Sequence, residues 1–248
     1  METNTKIVAL SDIGLRRKNN EDVAAFSQNK CGSLLVVADG MGGHRKGEVA
    51  SKIASDSLMI PFIGYHRIFN ARRCKKFFKK YVKKANNEIY HMSLSGAEYR
   101  EMGTTLVSAI VGQKETYIFS VGDSRAYLID IDKNIKQITQ DQTYVEMLFK
   151  AGKITRAEIP NHPQKNLLIN AVGINPDLTN AEEFVLPNES YKSILLCSDG
   201  LYNMVSDNEI QEIMINDSLT ANDKANALVK KALAAGGVDN IAVVIFEN

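Results

Sequence analysis

The chain contains no apolar run long enough to cross a bilayer. Its opening segment, Met1–Gly14, holds no apolar stretch of signal-peptide length. Cysteine is scarce: Cys31, Cys74 and Cys197 are odd in number and lack CxxC spacing, which argues against a disulfide framework and a zinc site. Net charge is scarce as well. The 248 residues carry 30 Lys and Arg against 29 Asp and Glu, so bulk electrostatics point to neither nucleic acid nor a membrane as partner. No low-complexity linker and no internal repeat interrupts the chain. One domain over 1–248, in a cytoplasmic and reducing setting, is therefore expected, with no membrane span.

What is present is an ordinary globular composition, 44% hydrophobic and 24% charged, with one recurrent pattern. Four short apolar runs each abut an aspartate: Leu34–Ala38 before Asp39-Gly40, Tyr117–Gly122 before Asp123, Ile194–Ser198 before Asp199-Gly200, and Asp239-Asn240 just ahead of Ile241–Phe246. Runs of this length bounded by Gly or Asn read as buried strands. Carboxylates at their ends would stand at the rim of a core, and several converging acids repel one another unless a cation joins them. That points to a divalent metal site. Asp-Gly after a strand is also a common turn signal, so any one of these aspartates taken alone reads first as a turn residue.

Strand signals at Ile7–Leu10, Val23–Ser27 and Leu34–Ala38 precede a Gly-rich turn and helical patterns over 46–60 and 71–92. Strands at Thr104–Val111, Thr116–Val121 and Arg125–Asp130 follow at hairpin spacing, which argues for antiparallel sheet. Segment 139–176, broken by Pro160, Pro163 and Pro176, reads as a mobile insertion with a helix over 143–151 ending at Gly152. Strands at Glu183–Leu186 and Ser193–Ser198, helices near 207–215 and 221–235, and a last strand at 240–246 complete the pattern. Within the run Arg72–Lys84 the apolar residues form one helical stripe, so its lysines read as the solvated face of a core helix. Weak attraction for an acidic partner stays open there.

Two phosphate chemistries fail on spacing. A cysteine phosphatase needs Cys followed six positions later by Arg, and the residues found are Val37, Lys80 and Asn203. Gly42 and Gly47 have P-loop spacing, but Glu48 and Val49 replace the required Lys and Ser/Thr.

Seven blocks in order carry a resemblance: Ser11-Asp12-Ile13-Gly14 with Arg17, Asn20-Glu21-Asp22, Ala38–His44, Met102–Thr105, Val121–Arg125, Cys197–Leu201 and Gly236–Asn240. In type and order they resemble the PP2C (PPM) family of metal-dependent protein Ser/Thr phosphatases in its compact bacterial form, over nearly the whole chain. The resemblance implies an α+β fold, a four-layer α-β-β-α sandwich with two central antiparallel sheets, and two Mn²⁺ or Mg²⁺ ions at one end. Carried over by position, Asp39 would bridge both ions, the Gly40 carbonyl would serve one, and Asp199 with Asp239 the other. Oxygen-only ligands of high charge suit such hard cations. A hydroxide shared by the ions would then attack phosphorus directly.

In the same reading Arg17 binds the phosphate and acts in catalysis. Glu21 and Asp22 reach the ions through bound water, Asp22 being counted with the metal residues. Asp123 with Asp199 corresponds to a third metal position, or Asp123 is a turn residue bracing Arg125. Met41 stands where larger relatives carry a histidine proposed as general acid; His44 nearby is either structural or catalytic. The insertion corresponds to the family's flap, without the basic residue that bacterial relatives often have within Leu168–Gly173. Phosphorylated proteins, among them a Ser/Thr kinase and its substrates, are the implied partners, and a monomer is expected. The alternative is a catalytically weak relative that binds phosphoproteins and regulates by interaction.

Overall fold

The computed structural model describes residues 7–42 and 46–248. Gly43 and His44 lie outside the described residues, and so does any role for His44. In chain order come β1 (Ile7–Asp12), β2 (Asp22–Asn29), β3 (Gly32–Met41), α1 (Gly47–Ile63), α2 (Ala71–Ser93), β4 (Gly103–Thr104), β5 (Leu106–Val111), β6 (Glu115–Val121), β7 (Arg125–Asp130) and β8 (Ile135–Gln137). They are followed by α3 (Tyr144–Lys150), β9 (Glu182–Pro187), β10 (Tyr191–Cys197), α4 (Asp199–Tyr202), α5 (Asp207–Met214), α6 (Ala221–Ala234) and β11 (Ile241–Glu247).

The strands form two antiparallel sheets, ordered β1-β11-β10-β7-β8 and β2-β3-β5-β6-β9, with β4 paired to the end of β3. Side-chain alternation explains why their central strands are apolar on both faces. From β3, Leu34, Val36 and Ala38 pack under α1 and α2, while Leu35 and Val37 meet the other sheet. From β11, Ile241, Val243 and Ile245 lie against α4–α6, while Ala242, Val244 and Phe246 fill the inter-sheet layer. Three apolar layers therefore alternate with four layers of structure, α-β-β-α. The expected α+β sandwich is the observed one.

Two elements have no counterpart in the sequence reading. β8 adds only three residues to a sheet edge, and α4 is a single turn that starts on Asp199 itself. Neither is long enough to display a period. Both ends of segment 139–176 are bonded into the body. The Gly122 N–H donates to Gln142 Oε1 (2.9 Å), Thr104 and Val172 exchange backbone bonds (3.0 and 2.8 Å), and the Gly173 N–H donates to Asn86 Oδ1 (2.8 Å). Arg125 grips Asp141 with two parallel bonds of 2.9 and 2.7 Å. Most of 152–167, between these anchors, is exposed.

Among the described residues no helix is long and apolar enough to cross a membrane. Cys31, Cys74 and Cys197 are buried and unpaired.

Candidate active site

Each predicted carboxylate emerges where a strand leaves the core. Asp22 opens β2 directly opposite Asp39 near the end of β3, so the two side chains share one face of the sheet. Asp199 follows β10, and Asp239 precedes β11, its antiparallel neighbour. Asp123 sits in the turn between β6 and β7. The two sheets bring these ends to one edge of the sandwich. Arg17, Glu21, Asp39, Gly40, Asp123, Asp199 and Asp239 all line one cavity of about 700 Å³. Asp22 lies buried behind it.

The backbone there is tightly specified. A Cβ on Gly40 would lie 2.2 Å from the Gly47 carbonyl oxygen and 2.6 Å from that of Glu21, so only glycine permits this approach. Likewise a Cβ on Gly200 would lie 1.9 Å from the Asn240 carbonyl oxygen. Asp39 is held through its backbone: its N–H donates to Thr105 Oγ1 (3.1 Å), and its carbonyl accepts from Thr105 N (2.9 Å) and Thr104 Oγ1 (2.9 Å). Its carboxylate stays free of these duties. Asn203 Nδ2 donates to Asp199 Oδ2 (3.1 Å).

Electrostatically the cluster is under stress. Burial, reinforced by Asp199 and Asp239, pushes the Asp22 carboxyl up to about 7. Asp123 is pushed up to about 8 by burial and by Asp199, and Asp199 to about 6 by burial and by Asp239. Asp39 rises well above the carboxylate range through burial and then through Asp22, Asp199, Asp123 and Asp239. Asp22 Oδ2 is buried with no hydrogen-bond partner, a costly arrangement for an oxygen that carries charge. Glu21 is raised by burial and then by Glu48, whose Oε2 is also buried and unpartnered.

Arg17 is the cation facing this cluster. Its Nη2 donates to Asp239 Oδ2 at 2.7 Å; burial lowers its pKa, but that bond together with the charges of Asp239, Glu21 and Asp199 leaves it raised. Among the described residues no three ligating side chains form a preformed cage, and Arg17 engages Asp239. The donor set still fits a hard divalent cation. It consists of carboxylate and carbonyl oxygens, it includes an orphaned buried oxygen, and its members raise one another's pKa for want of positive charge.

These shifts predict a pH dependence for the protein held in chelator. Carboxyls raised above their unfolded value near 3.9 add stability that is complete below that value. The contribution is lost as pH climbs through the folded values of about 6 to 8. The thermal midpoint should therefore fall between about pH 5 and pH 8, and Mn²⁺ at pH 8 should restore it. Calorimetry that gave a flat profile in chelator would show the acids to be unstrained.

Asp123 does not brace Arg125. The Arg125 guanidinium is taken by Asp141 and lies 3.6 Å over the Tyr202 ring, while Tyr202 Oη donates to the Asp123 carbonyl (3.0 Å). The Asp123 carboxyl is thus left facing the cluster.

Several residues of the site escaped the sequence reading. Asn240 accepts from the Glu21 N–H (2.9 Å) and donates to the carbonyls of Ile13 and Asn19 (2.9 Å each), latching the N-terminal segment that carries Arg17. Ser198 Oγ accepts from Ala242 N (2.9 Å) and ties β10 to β11 at the rim. Tyr90, Ser93 and Leu94 from the end of α2, with Arg100 and Glu101, form the far wall of the cavity. Asn240 and Thr105 did lie inside the motif blocks, but their partners are distant in sequence. For Glu48 and Arg100 no local pattern marks a role.

The family model described as Protein phosphatase 2C matches residues 16–235. The chain is 38% identical over 238 residues to a serine/threonine phosphatase stp of Listeria monocytogenes, covering 96% of this chain and 93% of the relative. It is also 38% identical over 246 residues to protein phosphatase PhpP of Streptococcus pneumoniae, covering 97% and 96%. The crystal structure of serine/threonine phosphatase Stp1 from Staphylococcus aureus superposes with a TM-score of 0.91 at 35% identity, over 98% of this chain and 94% of that one. The catalytic domain of PstP in complex with two manganese ions superposes with a TM-score of 0.82 at 31% identity, over 97% and 96%. With its sheet order, its acid-lined cavity and likeness along almost its whole length, the chain belongs to the protein phosphatase 2C family, in the compact form of the bacterial serine/threonine phosphatases.

Proposed function

We propose that this protein hydrolyses phosphoserine and phosphothreonine in other proteins, using two Mn²⁺ or Mg²⁺ ions and opposing a Ser/Thr protein kinase. The observation that carries this reading is the convergence of Asp22, Asp39, Asp123, Asp199 and Asp239, from both sheets, on one edge of the sandwich beside an arginine. Asp39, Asp199, Asp239 and the Gly40 carbonyl would hold the ions, with Asp22 and Glu21 behind them and Asp123 able to serve a third. When bound, such ions supply Lewis acidity and an activated water near neutral pH.

The chain's own residues do the rest. Arg17, with half of its side chain exposed, offers the free part of its fork to phosphate oxygens at the cavity mouth. Asp239 orients that fork. Thr104 and Thr105 fix the Asp39 backbone, so its carboxylate needs no large reorganisation during the reaction. Segment 139–176 acts as a flap over the cavity, to which it contributes Asn166, Leu167, Leu168, Gly173 and Ile174. The working unit in this reading is a monomer, a single domain over 1–248, in the cytoplasm.

The test is hydrolysis of p-nitrophenyl phosphate and of a phosphothreonine peptide with added Mn²⁺, compared with EDTA. Turnover of both with Mn²⁺ and none with EDTA is expected. Silence under both conditions, together with peptide binding, would favour the regulatory module instead.

A further inference from the structure

We propose that the outer face of α2, together with the exposed isoleucines at the end of α1, docks this protein onto an anionic lipid bilayer. From Ser57 to Asn87 the sequence holds nine Lys and Arg and no acid. Outside that stretch 21 cationic side chains remain against 29 anionic ones, so a near-neutral chain is strongly polarised. Net charge alone hides this.

The helix turns that composition into a surface. Phe77, Phe78, Val82, Ala85 and Ile89 of α2 are buried on one side. Arg72, Lys76, Lys79, Lys80, Lys83 and Lys84 are exposed on the other, within about 140° of arc at helical geometry. Among the described residues the one ion pair of this stretch is Lys75 with Glu183 (2.9 Å), toward the sheet. The remaining cations form no ion pair among the described residues, and the acids nearest to them, Asp56 and Glu88, stand at the edge of the face beside Lys84.

Exposed aliphatic groups stand near them. Ile60, Ile63 and Ile68 are 67%, 64% and 49% exposed. Ile60 and Pro61 share a groove with Tyr81 and Lys84, bordered by Asp56 and Glu88, and Arg73 Nη1 donates to the Ile68 carbonyl (2.7 Å). Apolar side chains and a basic patch on one face are the two signals that together give stable attachment to anionic headgroups.

Nucleic acid fits less well, because single strands need free aromatic faces for stacking. Here Tyr65 and Phe69 stack on each other at 4.2 Å, and Phe77 stands edge-on to both. An acidic peptide would answer the lysines but leave the isoleucines in water. A bilayer answers both. Since the last turns of α2 line the catalytic cavity, docking would hold that cavity within about one helix length, roughly 35 Å, of the lipid.

The experiment is flotation of the full chain with vesicles of phosphatidylglycerol and phosphatidylcholine in equal parts, against vesicles of phosphatidylcholine alone. Binding to the anionic vesicles at low salt, its loss at high salt and none to the neutral ones are expected. The triple variant K76E/K80E/K83E should bind at least tenfold less while hydrolysing p-nitrophenyl phosphate at the parent rate. Ile60→Ser with Ile63→Ser should weaken binding severalfold at fixed salt; unchanged binding there would overturn the bilayer in favour of a generic polyanion. No binding to anionic vesicles at low salt, equal binding to neutral ones, or tighter binding to single-stranded DNA or polyglutamate at the same salt would overturn it outright.

Discussion

Asp39→Asn is expected to lower turnover of p-nitrophenyl phosphate with Mn²⁺ by on the order of a thousandfold while raising the thermal midpoint in EDTA. The two halves of the result have one cause. Asp39 stands within the field of Asp22, Asp199, Asp123 and Asp239, all of which disfavour its charge. An asparagine of the same shape removes that repulsion, so the metal-free fold gains. It also removes the charge and the second oxygen that a divalent ion needs, so the catalytic assembly loses. A variant that merely misfolded would lose both. Asp239→Asn should also lose most turnover, but with less gain in midpoint, because it gives up the ion pair to Arg17. Near-parent turnover in either variant would contradict the assignment.

Asn240→Ala is expected to lower the thermal midpoint and the activity together. Asn240 is buried, and its side chain makes three bonds that span more than 200 positions of sequence, to Glu21 N, Ile13 O and Asn19 O. Alanine leaves one buried donor and two carbonyls to find water. At about 1 kcal/mol or more for each group the loss is roughly 3 kcal/mol, or about 6–12 °C in midpoint for a domain of this size. The same latch sets where Arg17 and Glu21 stand, so kcat/KM should fall at temperatures where circular dichroism reports a folded protein. Unchanged kcat/KM with a lowered midpoint would make Asn240 a structural residue alone.

The difference between these residues marks how legible the site was. Asp39, Asp123, Asp199 and Asp239 were readable because each sits at the end of an apolar run, and alternation on a doubly covered sheet makes such runs conspicuous. The strands and longer helices came out within a few residues for the same reason. Asn240 stood inside a motif block without drawing a role, because a latch is defined by partners and all of them lie at the other end of the chain. Whether Asp123 braces Arg125 could not be read until Asp141 was seen to hold that guanidinium. α4 and β8 were too short to show a period at all.

The basic helix taught the converse. Its heptad-like spacing correctly told which side of α2 is buried. The spacing was silent on what stands next to the exposed side, because Ile60, Ile63 and Ile68 belong to other turns of the chain.

Residue order alone determined the periodicities, and with them the strands, the amphipathic helices and the set of acids waiting at strand ends. These are local consequences of side-chain alternation and burial, so they need no knowledge of distant neighbours. Tertiary structure decided which ends meet: the antiparallel pairing of β10 with β11 and of β2 with β3, and the packing of one sheet on the other, gather carboxylates otherwise up to 217 positions apart. Their raised pKa values, and the grip of Arg17 on Asp239, exist only after that gathering. Coulomb and desolvation energies depend on distance through space, which no local pattern encodes.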